Sequence, residues 1–288
     1  MELSEAIIKF PPSAPLRNIV HHYEWAEISE QVDIDGIDLL PSFSLGLIFY
    51  FWKEKPLIAV SKLHDRVTVP KIVVVSPTSI PIIGTNFSSF HYLRVVFVPG
   101  MFSRLFDDIP MRHFWNEMLD ARNTLDPKLY EVYDQMQETP FYFQRLRILD
   151  NFLLEKLRGK SLGTPIFPKL YHRIIATSDQ QVRVRDLAET MGMSRQCLNR
   201  LTGRELGRTA KNVLSTLRFN HTLIHFHTHS DISLSQTAYK FGYYDQAHLT
   251  HEFQQFSGLT PRRYLNALNK TNIYDDPDKF MNTGMLVR

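Results

Sequence analysis

A repeat in the C-terminal third constrains the fold of this chain more than any other sequence feature. Ala188 and Gly192 recur as Ala238 and Gly242, at an offset of 50 residues. Beyond the glycine the offset becomes 51 residues, and it pairs Leu198 with Leu249, Gly207 with Gly258 and Thr209 with Thr260. A small residue on one helix, a glycine that can adopt positive φ and a polar residue that can begin a second helix together indicate a helix-turn-helix. The sequence therefore predicts two such units, with Gly192 and Gly242 in their turns.

The second helix of each unit has a clear start. Ser194 and Asp245 are residues of the type that caps helix N-termini, which predicts helices over 194–206 and 245–256. The segment KNVLSTLRFNHTLIHF between the units predicts one long helix with an apolar side. If this connector sets the two second helices about 34 Å apart, both can enter successive major grooves of one DNA duplex.

The distribution of charge and the number of cysteines indicate the partner and the compartment of this protein. The net charge is only +3, but residues 170–268 hold 12 Lys and Arg against 7 Asp and Glu, which agrees with a polyanionic partner. The single cysteine, Cys197, excludes an internal disulfide and a thiolate metal cluster and predicts a cytoplasmic protein. We see neither a leader peptide nor an apolar run of about 18 residues, so no membrane partner is expected.

The N-terminal half has a different pattern. From Pro41 to Pro99, short β-branched and aromatic runs at roughly ten-residue spacing predict a small sandwich or barrel. Helical periodicity follows, and GKSLGTP at 159–165 is the best linker candidate. We predict an α+β protein with a β-rich domain at 1–115, a helical linker or dimerisation region at 116–160, an all-α double helix-turn-helix domain at 161–268 and a tail at 269–288.

The C-terminal residues resemble the AraC-type (AraC/XylS) family of bacterial transcriptional regulators over about residues 168–266. The resemblance is most specific in the second unit, through Leu234, Ala238, Gly242, Tyr243, Asp245, Gln246, Leu249, Phe253, Gly258, Thr260, Pro261 and Tyr264. The segments PLRNIVHHYEW, LLPSFSLGLIFYFW, VVSPTSIPIIG and LRVVFVPGMFSRLF also resemble a β-rich domain of unknown function found ahead of such modules. The resemblance implies sequence-specific binding of double-stranded DNA and a cupin-like or jelly-roll sensor domain.

The resemblance also implies which side chains read bases. Amide groups can pair with adenine and guanidinium groups with guanine. The candidates are Arg195, Gln196, Asn199, Arg200 and Arg204 in the first unit and Gln246, His248, His251 and Gln254 in the second. We favour the first unit, because 245–256 contains no Lys or Arg and His251 stands where the family commonly has arginine.

Phosphate contacts require donors and positive charge near helix starts. The candidates are Ser194, Thr209, Lys211, Thr260, Arg262 and Arg263, four of which occupy equivalent positions after the two units. Arg218, on the connecting helix, fits either a DNA contact or a structural role.

Three alternatives concern the N-terminal domain. It can bind a small-molecule effector, it can serve only for association, or it can be a cupin-like metalloenzyme domain. The sequence contains neither a catalytic motif nor a clear metal-ligand cluster on the strand-rich stretch, so we expect no catalytic residues, no metal and no cofactor. Further candidate partners are RNA polymerase and a second copy of the chain, contacted through the helix at 141–158. Whether transcription is activated or repressed stays open.

Overall fold

The computed structural model describes residues 7–28, 37–39, 45–52, 58–61, 67–75, 82–85, 90–107, 109–115, 117–165, 168–170, 182–229, 231–268 and 285–287. Several turn-rich stretches between the predicted strands and residues 269–284 of the predicted tail lie outside this set. Within it, eleven strands occur: β1 (Ile7–Phe10), β2 (Val20–Ile28), β3 (Ile37–Leu39), β4 (Gly46–Trp52), β5 (Ile58–Ser61), β6 (Val67–Thr68), β7 (Ile72–Val75), β8 (Ile82–Thr85), β9 (Phe90–Phe97), β10 (Met118–Asp120) and β11 (Met285–Val287).

The strands form two antiparallel sheets. One sheet has six strands in the order β1-β2-β9-β4-β7-β10, and the other has five in the order β11-β3-β8-β5-β6. In the centre of the larger sheet, Leu47 lies opposite Val95 and Phe49 lies opposite Leu93. Because side chains alternate along a strand, this register places the four apolar residues on one face of the sheet.

Helices cover that face. The N-terminal half forms α1 (Phe102–Leu105), α2 (Ala121–Thr124), α3 (Lys128–Gln137) and α4 (Tyr142–Leu157), with 3-10 turns at Ala14–Leu16 and Met111–Phe114. Leu129, Tyr133 and Leu153 of α3 and α4 share one buried apolar cluster with the sheet. The Tyr133 hydroxyl donates to the Tyr50 carbonyl at 2.8 Å, and the Tyr23 hydroxyl donates to Asp150 at 2.7 Å. The two helices are therefore attached to the sheet by hydrogen bonds as well as by burial.

The opposite face of the larger sheet carries a buried polar cluster. Arg94 Nη1 donates to Glu24 Oε2 at 3.2 Å, and His22 Nε2 lies 2.7 Å from Glu24 Oε1. Burial alone would raise the pKa of Glu24, but the Arg94 charge and the His22 hydrogen bond outweigh it and leave this pKa below its usual value. A carboxylate with these partners is tolerated inside a sheet domain, where an unpaired one would not be.

The C-terminal third is helical. Its helices are α5 (Val184–Thr190), α6 (Arg195–Leu206), α7 (Ala210–Thr228), α8 (Leu234–Lys240), α9 (Gln246–Ser257) and α10 (Pro261–Leu268). They enclose two separate apolar clusters, one around Leu198 and Leu217 and one around Phe219 and Phe253. Each helix-turn-helix thus has a core of its own.

The predicted fold class is confirmed: a β-rich N-terminal domain with helices precedes an all-α double helix-turn-helix domain. The cupin-like or jelly-roll assignment and the four domain boundaries stay predictions. Two features bear on those boundaries. The helices within 116–160 share a core with the larger sheet, and β11 of the tail pairs with β3 in the smaller one.

Candidate nucleic-acid interface

The two turns have the same local structure. Gly192 and Gly242 adopt φ of 65° and 75°, values that favour glycine. One residue later, Met193 N donates to Ala188 O at 3.0 Å in the first unit, and Tyr243 N donates to Ala238 O at 2.9 Å in the second. The equivalence expected from the 50-residue offset therefore extends to the backbone hydrogen bonds.

The two second helices also begin and end alike. Ser194 Oγ accepts from Cys197 N at 3.1 Å, and Asp245 Oδ1 accepts from His248 N at 2.7 Å. Each helix runs for 12 residues and stops at a glycine in the left-handed region, Gly207 or Gly258. Polar caps satisfy the N–H groups at a helix start, and a left-handed glycine turns the chain at its end. Each cap follows from residues within three positions, which is why the sequence sufficed to locate it.

The connecting helix α7 belongs to both units. Its 19 residues give it a length of about 28 Å at 1.5 Å per residue. Val213 and Leu217 lie in the first apolar cluster, whereas Phe219, Leu223 and Phe226 lie in the second. Since one helix contributes to both cores, it fixes the position of one unit relative to the other.

Arg218 has a structural role in this conformation. Its Nη2 donates to both carboxylate oxygens of Glu252, at 3.0 and 2.9 Å, and its Nη1 donates to Gly242 O at 3.0 Å. The guanidinium also lies 4.8 Å from the centre of the Tyr243 ring. The second helix of each unit, α6 or α9, is called its recognition helix below. Arg218 therefore joins the connecting helix to the turn and to the recognition helix α9 of the second unit.

Most candidate base-reading side chains lie on exposed surface of the two recognition helices, namely Arg195, Gln196, Asn199, Arg200, Arg204, Gln246, His251 and Gln254, while His248 is half-buried. Arg204 Nη2 lies 3.6 Å from Glu205 Oε1, and three other candidates have side-chain hydrogen bonds inside the protein. Asn199 Oδ1 accepts from Ala210 N at 2.9 Å, and Gln246 Oε1 accepts from Ser235 Oγ at 2.8 Å. These bonds occupy one oxygen lone pair each and do not use the amide hydrogens.

His248 is the third candidate with internal hydrogen bonds. Its Nδ1 accepts from Tyr244 N at 3.0 Å, so the neutral ring carries its hydrogen on Nε2, which lies 3.2 Å from Glu252 Oε2. Both ring nitrogens are thus engaged. A base contact by His248 would have to replace one of these two interactions.

Apart from Ser194, which caps α6, the phosphate candidates lie at two equivalent helix starts. Thr209 Oγ1 accepts from Asn212 N at 3.3 Å at the start of α7, and Thr260 Oγ1 accepts from Arg263 N at 3.4 Å at the start of α10. Each threonine is a cap, and capping leaves the hydroxyl hydrogen available for an acceptor. Ser194, Lys211, Arg262 and Arg263 are all exposed.

The N-terminal domain contacts the end of the first recognition helix, a feature that sequence reasoning missed. Glu205, with 1% of its side chain exposed, pairs with Arg104 Nη2 at 2.6 Å. Trp115 Nε1 donates to the Leu206 carbonyl. An added Cβ at Gly207 would lie 2.5 Å from the Met111 carbonyl carbon. The only hint in the sequence was Glu205 on the apolar side of a helix, and its partner lies 101 residues away.

Two helix-turn-helix units on one connecting helix, each presenting a polar second helix, define a DNA-binding module. A family model described as "Helix-turn-helix domain" matches residues 187–267. This C-terminal part is a helix-turn-helix domain of the AraC type, and the chain is a DNA-binding transcription regulator. No curated protein matches the chain.

Several solved structures are similar to it. ToxT from Vibrio cholerae O395 has a TM-score of 0.45 and 12% identity, over 86% of this chain and 98% of that one. An unsaturated fatty acid bound wild-type ToxT from strain SCE256 has a TM-score of 0.45 and 14% identity, over 94% and 99%. A regulator from Chromobacterium violaceum with an AraC-type DNA-binding domain has a TM-score of 0.33 and 22% identity, over 36% and 91%.

Among the helices of the described residues, none is both long and apolar enough to span a membrane. The described residues also contain no group of three or more His, Cys, Asp or Glu side chains arranged to hold a metal ion.

Proposed function

We propose that the protein recognises a two-part operator by inserting α6 and α9 into successive major grooves on one face of a duplex. The observation that carries this proposal is the structural equivalence of the two units: their turns, caps and helix lengths agree, and one connector joins them. A rigid pair of equal recognition helices suits two sites about one helical turn of DNA apart.

The two helices would contribute unequally to specificity. The helix α6 presents Arg195, Arg200 and Arg204. The helix α9 contains no Lys or Arg, follows the acidic cap Asp245 and carries Glu252. Arginine reads guanine through two parallel hydrogen bonds. We therefore propose that Gln196, Asn199 and Arg200 provide most of the base discrimination.

Selection of duplexes from a random library by the full chain tests this proposal. We expect Arg200→Ala to relax the preference at one base pair of the first half-site, at a cost of about 1–3 kcal/mol. Arg185→Ala is the matched control, because Arg185 is an exposed arginine of the preceding helix that pairs with Asp186 and Glu189. A wild-type protein that selects no sequence would contradict the proposal.

His251→Ala separates the two units. If α9 reads bases through His251, this variant loses preference in the second half-site only, and a selection profile identical to wild type assigns reading to α6. Both results agree with sequence-specific DNA binding. Equal losses of sequence preference from His251→Ala and Arg200→Ala would contradict the proposal that α6 contributes more base discrimination than α9.

We further propose that the N-terminal domain controls this module, without catalysis or a bound cofactor, in the cytoplasm. The contacts of Arg104 and Trp115 with the end of α6 give it a physical connection to the first recognition helix. A small-molecule effector, a second copy of the chain and RNA polymerase are the partners we propose for it. Sedimentation of the full chain with and without operator DNA tests the dimer, and a monomer under both conditions contradicts it.

A further inference from the structure

A cleft of about 590 Å³ separates the two helix-turn-helix units. It is bounded by the start of α5, the first half of α7 and one side of α9. The Lys, Arg and His side chains in its lining are Arg183, Arg208, Lys211, Arg218, His248 and His251. Among the described residues, Glu252 is the carboxylate that lines it.

The Glu252 carboxylate is already engaged. It binds Arg218 at 2.9 Å and lies 3.2 Å from His248, so its charge is balanced on its own side of the cleft. The charges of Arg208 and Lys211 are not balanced in this way. Among the described residues neither forms an ion pair, and the buried Nε of Arg208 has no hydrogen-bond partner. The cleft therefore holds positive charge that the described part of the protein does not neutralise.

Arg208 is held in place by packing. Its guanidinium carbon lies 4.2 Å from the centre of the Trp115 ring. Trp115 belongs to the N-terminal domain. Burial lowers the pKa of Arg208, yet an arginine stays charged at neutral pH. The exposed part of this half-buried guanidinium has no ion-pair partner among the described residues, so it can bind an acceptor from outside, and its planar geometry matches two phosphate oxygens.

The recognition helix α9 indicates which acceptor that is. His251 and Gln255 are exposed on α9, and both line this same cleft. A duplex that presents a major groove to α9 would therefore carry its sugar-phosphate backbone across the cleft opening. Lys211, at the start of α7, would lie beside the same backbone.

We propose that Arg208, supported by the Trp115 ring and with Lys211 beside it, binds a phosphate of the DNA backbone between the two major grooves. This inference rests on the proposed function and assigns a position that the sequence did not single out. The contact would be independent of base sequence, so it would add to affinity and not to selectivity.

Arg208→Gln tests the inference in the full chain. Loss of one phosphate contact reduces the slope of log K against log salt by about 1, and weakens binding to selected and unrelated duplexes by the same factor, roughly tenfold. Arg185→Gln is the control and should leave the slope unchanged. Arg208→Lys keeps the charge, so it should retain the slope even if the loss of stacking weakens the interdomain packing.

The outcomes separate this inference from the proposed function. A wild type without sequence preference contradicts the proposed function, whereas the slope comparison still measures the phosphate contact. An unchanged slope in Arg208→Gln, with the preference intact and the unfolding temperature equal to wild type, overturns the inference alone. Inorganic phosphate provides a further arm: if it raises the unfolding temperature of the wild type but not of Arg208→Gln, while their slopes agree, the site binds a free anion and the DNA assignment is wrong.

Discussion

Gly203 lowers the stability of the first recognition helix relative to alanine at the same position. It lies inside α6 with no atom within 4 Å of the position where a Cβ would stand. Glycine costs about 0.5–1 kcal/mol relative to alanine inside a helix. We expect Gly203→Ala to raise the free energy of unfolding by that amount, measured by urea denaturation. Gly207→Ala should do the opposite, since φ is 71° there and the new methyl group would meet the Met111 backbone. A loss of stability in Gly203→Ala would contradict this account.

Glu24 makes stability depend on pH. Because its pKa is lowered on folding, the ion pair with Arg94 stabilises the protein above the ordinary value of 4.5, and this contribution is lost as the pH falls through the folded-state pKa. Glu24→Gln removes the carboxylate charge that Arg94 binds. We expect the difference in unfolding free energy between wild type and variant to be largest near pH 7 and to shrink in acid. A difference that grows below the ordinary pKa would show that the charge of Glu24 is not what stabilises this face.

Local elements were predictable from the sequence, and elements that depend on distant partners were not. The turns and caps of both units depend on a glycine or a polar residue a few positions away, so the repeat located them. The strand β2 was not predicted because His22 and Glu24 interrupt its apolar pattern. Glu24 is tolerated in the interior because Arg94 on β9 and His22 both bind its carboxylate. Strand β11 was not predicted either, since its pairing partner β3 is far away in the sequence.

Arg218 holds together three elements of the second unit, namely the connecting helix, the turn and α9. Arg218→Ala would leave Glu252, with 11% of its side chain exposed, without its main counter-charge and would free the Gly242 carbonyl. We expect a loss of about 2–3 kcal/mol in unfolding free energy. Arg218→Lys keeps the charge but cannot bind both carboxylate oxygens in parallel. Its unfolding free energy should therefore lie between those of the wild type and Arg218→Ala. Circular dichroism during urea denaturation measures all three proteins, and a lysine variant less stable than alanine would be inconsistent with this role.

At the scale of the whole molecule, the pair of Arg104 and Glu205 joins the two domains. Either single replacement removes one charge of this pair, whereas the double variant lacks the pair altogether. We expect Arg104→Met and Glu205→Gln each to destabilise the protein, and the double variant to be more stable than the sum of the single effects predicts, with a coupling of about 0.5–3 kcal/mol. Additive losses in a thermal or urea unfolding cycle would show that the pair does not connect the domains energetically.

The hydrogen bond from Trp115 to the Leu206 carbonyl has a practical consequence for any work with the C-terminal part alone. A helix end depends on partners for its last carbonyl groups, and here one partner comes from the other domain. An excised fragment would keep every residue of the first recognition helix but would lose the group that completes its final turn. If α6 reads bases as we propose, the fragment and the full chain could select different sequences although their candidate base-reading residues are identical. A binding motif determined with the fragment would then under-represent the first half-site.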